Sequence, residues 1–142
     1  MTVIDANVLL YAYDADVEQH AKAADWLEGL FGSTEAIGLS WATLWAFLRV
    51  ATNPRLRRLP ASAEQCFDRI GEWLSHPSVV VINPGPRHAE ILEQLVREHR
   101  AVGPLVSDAV LAALAIENGA TLASTDQDFS RFQGLRWVNP LA

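Results

Sequence analysis

With 142 residues, half of them hydrophobic and a fifth charged, the chain has room for one folded domain with a substantial core and not for two. A formal net charge of −6, with ten arginines but only one lysine (Lys22), argues against binding nucleic acid through a general positive field. No apolar run has the length of a membrane span, the first residues carry Asp5 rather than a basic leader, and Cys66 has no partner for an intrachain disulfide; a cytoplasmic protein is expected.

The chain opens with Thr2-Val3-Ile4, an apolar strand that runs into Asp5, and apolar residues resume at once from Asn7 to Tyr13 as a short helix. Asp16 and Gln19 have the spacing of a capping box ahead of an amphipathic helix through Val17, Ala21, Ala24, Leu27, Leu30 and Phe31, which Gly32 stops. Ala36–Leu39 reads as a strand, and Ser40 caps a helix from Trp41 to Ala51 that Asn53-Pro54 ends. The segment from Arg55 to Pro60 is the densest basic run; a solvated loop is its plainest reading, and Arg49, Arg55, Arg57 and Arg58 are the candidates for contact with a polyanion.

Ser62 and Gln65 form a second capping-box pattern, before a helix expected to bury Cys66, Phe67, Ile70 and Leu74. Val79–Ile82 is a continuous β-branched run of the kind covered on both faces. Pro86 suits the first position of a helix that reaches Arg100 and carries His88 and His99 on its surface, too far apart to share a metal. Ser107-Asp108 opens a helix apolar nearly all round, Gly119 ends it, and the strands Ala120–Ala123 and Arg136–Val138 flank Ser124-Thr125-Asp126-Gln127-Asp128-Phe129. Strands alternating with helices predict an α/β fold, a three-layer αβα sandwich with a mostly parallel sheet of about five strands, in a single domain spanning residues 1–142.

Asp5, Asp108, Asp126 and Asp128 then occupy comparable addresses at strand ends and at a helix start. In parallel sheets ligands bind outside the carboxyl ends of the strands. Pairing of the first strand with the penultimate one would bring Asp5 beside Asp126. Individually each acid has a modest explanation as a helix cap or turn former. Gathered together, they repel unless a cation joins them, and Mg²⁺ with oxygen ligands suits the hydrolysis of a phosphodiester.

The segments Val3-Ile4-Asp5-Ala6-Asn7-Val8-Leu9-Leu10, Ser107-Asp108-Ala109-Val110-Leu111-Ala112-Ala113-Leu114-Ala115 and Ser124-Thr125-Asp126-Gln127-Asp128-Phe129 together resemble a PIN domain of the VapC toxin type, as do Trp41 to Arg55 and Asn139-Pro140-Leu141. The resemblance covers essentially the whole chain. It implies a PIN-like fold and a ribonuclease dependent on Mg²⁺, with Mn²⁺ as an alternative. It implies further that this is the toxin of a bacterial toxin–antitoxin pair, dimeric and silenced by a cognate antitoxin. By the same resemblance Asp5, Asp108 and Asp126 are catalytic, these three with Asp128 hold the metal, and Asn7 holds Asp5 by a hydrogen bond. In one respect the chain departs from the pattern. Where a glutamate is usual before the Phe-Leu-Arg stretch, this chain has Ala46, and Glu117, nine residues along the helix from Asp108, is out of reach.

Two phosphoryl-transfer alternatives fail on their own residues. An aspartyl phosphatase needs a second aspartate where Asn7 stands and a later lysine, and no lysine follows Lys22; a phospho-receiver fails on the same lysine. The remaining alternative is a PIN-like module, catalytically impaired by Ala46, that only binds RNA or a protein.

Overall fold

The computed structural model describes residues 1–142. Five parallel strands form one sheet: β1 (Thr2–Ile4), β2 (Ile37–Leu39), β3 (Val79–Val81), β4 (Thr121–Ala123) and β5 (Arg136–Val138), in the order β3-β2-β1-β4-β5. Six α-helices connect them: α1 (Ala6–Tyr13), α2 (His20–Phe31), α3 (Trp41–Ala51), α4 (Ala63–Ser75), α5 (His88–Glu98) and α6 (Pro104–Glu117). Alternate residues of a strand face opposite sides, and the sequence exploits this. On one side Val3, Leu122 and Ile82 pack with α5 and α6; on the other Ile4, Ile37 and Leu39 pack with the face formed by α1 to α4. The result is the expected αβα sandwich with an all-parallel sheet.

Phe47 is the centre of the second layer. Its ring meets Tyr13 at 5.3 Å and Trp73 at 4.9 Å, both edge to face, arrangements that add to simple burial. Ser40 caps α3 and Ser62 forms a complete capping box with Gln65 on α4, as the sequence indicates. Gly119, at φ +62°, ends α6. The N–H groups of Gly119 and Ala120 return to the carbonyls of Ile116 and Ala115 at 3.0 and 2.9 Å, satisfying the last turn.

Several local expectations are corrected. The second helix begins at His20, not near Asp16, because Asp14 accepts the Asp16 N–H at 3.0 Å and fixes a turn there instead. The sixth begins at Pro104, just after Gly103 at φ +57°, three residues before Ser107; proline at the first helical position is the signal that decides it. On α4 Trp73 takes the inward position while Phe67 is 54 % exposed. The fifth helix starts at His88, after Pro86, and both its flanking histidines are half-buried, each with one ring nitrogen enclosed without a partner. The β-branched run at β3 is a sheet edge with only β2 beside it, so Val80 and Val81 are largely open to solvent.

Candidate metal centre

Strand order dictates the site. β1 and β4 are neighbours in the middle of the sheet, so the residues that leave their carboxyl ends, Asp5 and Ser124, meet although 119 positions separate them. Each is still tied to the sheet: the Asp5 N–H donates to the Ala123 carbonyl and the Ser124 N–H to that of Val138, both at 3.0 Å.

Ser124 is the hub of this rim and is completely buried. Its hydroxyl donates to Asp5 Oδ2 at 2.7 Å and accepts from Asn7 Nδ2 at 3.3 Å and from the Asp126 N–H at 3.0 Å. One donor and two acceptor positions are thereby filled. Asn7 was expected to hold Asp5 directly. It acts through Ser124 instead, since its amide spans the gap to the next strand, with Oδ1 accepting from the Thr125 N–H at 3.4 Å. The sequence offers Ser124 only as part of a turn-like Ser-Thr-Asp stretch. Its position directly after a buried strand is the signal that it faces the rim.

Asp108, Asp126 and Asp128 stand together, with one carboxylate oxygen from each lying within 4.8 Å of the others. Asp126 caps the short 3₁₀ turn Gln127–Arg131 by accepting the Asp128 N–H at 2.8 Å. Asp128 in turn is paired with Arg131 at 3.1 Å, an arginine that no motif in the sequence singles out. Asp108 reaches the cluster from the second turn of α6, not from its start, so the helix dipole favours its charge less than expected. Asp5 is not one of this close trio; with Asp108 it lines a cleft of about 130 Å³ whose lining also includes Ser40, Thr43 and Ala46. The position where the glutamate was expected therefore opens directly onto the acids.

The electrostatics follow from this crowding. Burial, then the negative charges of Asp126, Asp5 and Asp128, push the Asp108 carboxyl up to about 6, against the opposing pull of Arg131. Burial also raises Asp5, with Asp126 adding to the rise, although hydrogen bonds from Ser124 and the Ala6 N–H work the other way. Like charges held this close, with only oxygen donors, are the environment that a hard divalent cation stabilises. The donor set fits Mg²⁺ or Mn²⁺ and lacks the nitrogen and sulfur ligands that favour zinc.

The basic residues divide. Arg49, Arg55 and Arg58 are exposed. Arg57 is not free for an RNA contact: its side chain is 12 % exposed, pairs with Asp14 at 3.2 Å, donates to the Ala51 carbonyl at 3.2 Å and lies over the Tyr13 ring.

Comparison with known proteins agrees with the geometry. The sequence profile of the PIN domain matches residues 2–135. Ribonuclease VapC37 of Mycobacterium tuberculosis is 42 % identical over 142 residues, covering 100 % of this chain and 99 % of its own. Ribonuclease VapC43 of the same species is 40 % identical over 99 % of this chain and 96 % of its own. Among solved structures, VapBC2 of Rickettsia felis bound to promoter DNA superposes with a TM-score of 0.71 at 20 % identity, over 97 % of each chain. The sarcin-ricin-loop-cleaving toxin VapC20 of M. tuberculosis does so with a TM-score of 0.66 at 20 % identity, over 96 % of this chain and 99 % of that one. With its acids gathered at the carboxyl edge of a β3-β2-β1-β4-β5 sheet and full-length similarity to these ribonucleases, the chain belongs to the PIN domain family, among the VapC ribonucleases.

Proposed function

We propose that the protein is a divalent-metal-dependent endoribonuclease that hydrolyses RNA phosphodiester bonds, acting as the cytoplasmic toxin of a toxin–antitoxin pair. The observation that carries this reading is the convergence of acids from three distant segments on one rim, three of them within 4.8 Å. Asp5, Asp108 and Asp126 are the catalytic set, and together with Asp128 they would hold Mg²⁺ or Mn²⁺. Bound there, the cation supplies charge neutralisation for the phosphate and a bound water of lowered pKa.

The chain's own contribution is positioning. Ser124 locks Asp5 and the Asp126 backbone to a single point, and Asn7 locks Ser124. Arg131 restrains Asp128 and brings a guanidinium to the acids' rim. Exposed Arg49, Arg55 and Arg58 supply the local positive charge that a chain of net charge −6 otherwise lacks for meeting RNA. Trp41, Trp45, Leu56, Leu59 and Phe67 are exposed along α3, α4 and the loop between them. Apolar exposure on that scale suits protein partners, here the cognate antitoxin and a second copy of the chain. No helix is long and apolar enough to cross a membrane.

Antitoxin-free protein incubated with total and structured RNA tests the reading. Cleavage is expected with Mg²⁺ or Mn²⁺, and none with chelator or in Asp5→Asn. A folded protein that cleaves nothing under any of these conditions and does not bind Mg²⁺ in calorimetry would favour the impaired binding module that Ala46 suggests.

A further inference from the structure

We propose that the cleft opened by Ala46 is a subsite for a nucleobase beside the scissile phosphate, an inference that rests on the ribonuclease reading. The lining of the cleft combines the acids Asp5 and Asp108, the hydroxyl residues Ser40, Thr43 and Ser107, and an apolar part that includes Ala46, Leu111 and Leu114. Its volume of about 130 Å³ is roughly tenfold the 10–15 Å³ that a single water needs. Ordered water requires two to four polar partners, which the acids and hydroxyls of the lining offer and its apolar part does not. A flat ring matches both, with an apolar face for Ala46, Leu111 and Leu114 and a polar edge for the rest.

The polar edge has a counterpart. Thr43 is 4 % exposed, lines the cleft, and its hydroxyl accepts from Ser40 Oγ at 3.1 Å. Ser40 Oγ is occupied at the same time by the Thr43 N–H at 3.2 Å. This arrangement leaves the Thr43 hydroxyl hydrogen for a ligand. Ala46 lies one helical turn from Thr43 on the same face of α3. A longer side chain at 46 would fill the space, so the small size of Ala46 is what leaves room for a base. Because Asp5 and Asp108 belong both to the lining of the cleft and to the proposed metal centre, a nucleotide held by its phosphate at the acids has the cleft within reach of its base. A single hydroxyl both donates and accepts, so shape and stacking dominate over discrimination among bases.

Nucleoside 5′-monophosphates provide the test, because they contain no phosphodiester to cleave. In methyl-labelled protein with Mg²⁺, each nucleotide is expected to produce ring-current shifts at Ala46, Thr43, Leu111 and Leu114, and ribose 5-phosphate is not. Ala46→Leu, which fills the cleft without adding charge, should remove those shifts while leaving the Mg²⁺ dissociation constant within about twofold, and raise KM for RNA by about tenfold or more. Thr43→Val provides a second variant of nearly unchanged volume, with weaker nucleotide shifts expected. Equal shifts from ribose 5-phosphate, or no shifts at these methyls, would overturn the subsite even if RNA is cleaved. Nucleotide-selective shifts without metal-dependent cleavage would sink the nuclease reading and keep the pocket.

Discussion

Asp108→Asn should make the metal-free protein more stable at neutral pH while destroying its function. The Asp108 carboxyl is displaced from 3.8 to about 6, chiefly by burial and then by Asp126, Asp5 and Asp128. The native state therefore carries a penalty for ionising it. That penalty is absent below the unfolded value, near 4, and is complete once pH has risen above about 6. At 1.36 kcal/mol per pH unit the ceiling is ~3 kcal/mol; because the group is only half-buried, solvent screening reduces this to about 1–2 kcal/mol. Asparagine has nearly the same shape and no charge. For a domain of this size, melting followed by circular dichroism in chelator at pH 7.5 should show the variant about 3–8 °C above wild type. At pH 4 the two should melt together. Saturating Mg²⁺ should reverse the order at pH 7.5, since wild type would gain roughly 2.7 kcal/mol at a hundredfold excess over its dissociation constant and the variant would lack one of the proposed ligands. A variant no more stable than wild type in chelator at pH 7.5, or a gain that persists unchanged at pH 4, would refute the electrostatic account of the cluster.

The hub is the next target. Ser124→Ala strips a buried hydrogen-bond donor from Asp5 and an acceptor from Asn7 and Asp126; it should cost about 1–3 kcal/mol in denaturant unfolding and lower the cleavage rate by about a hundredfold, whereas unchanged activity would show that Asp5 needs no orienting group. Arg57→Ala should lower stability by about 1–2 kcal/mol by stranding Asp14, whose carboxyl burial would otherwise raise and which the Asp16 N–H and Arg57 hold below its usual value. It should leave the salt dependence of RNA binding untouched. The pair Arg55→Ala and Arg58→Ala should do the opposite, reducing the slope of log affinity against log salt by about 0.7 for each phosphate no longer neutralised, with stability unchanged; equal slopes in all three proteins would remove the basic run from the RNA path. Gly119→Ala should cost about 1 kcal/mol, because its positive φ is strained for any side chain, and should leave cleavage as it was.

Features set by local chemistry are readable in the chain. Ser40 and Ser62 cap the helices they precede, and Gly119 closes α6, because each answers a backbone need within four residues of itself. The alternation of strands and helices is enough for the sandwich; the meeting of Asp5 and Asp126 depends in addition on β1 pairing with β4, which the sheet order supplies. What escapes are long-range allocations. Nothing near Val79–Val81 says that the strand will be an edge, since an edge is defined by a strand that never arrives. Periodicity alone places Phe67 inward, but the ring contact between Trp73 and Phe47 decides that face of α4. Arg57 reads as one more arginine in a basic run until Asp14, 43 positions earlier, turns it inward. Asn7 and Ser124 illustrate the same limit at the site: their bond spans 117 positions. The start of α6 is different, because a local signal, the Gly103-Pro104 pair, marks it more firmly than the Ser107-Asp108 pair does.

The adjacency of β1 and β4 has a consequence for how the protein comes into being. Synthesis adds about 5–20 residues per second, so the first strand emerges seconds before its central partner. Until residues 121–126 have left the ribosome, Asp5 lacks Ser124 and Asp108 lacks Asp126, and the rim does not exist. A chain that stops short of residue 121 therefore lacks the hydroxyl that holds Asp5 and the Asp126 and Asp128 carboxylates beside Asp108. The rim is thus a late product of the chain, assembled only when its two central strands, far apart in sequence, have both become available to pair.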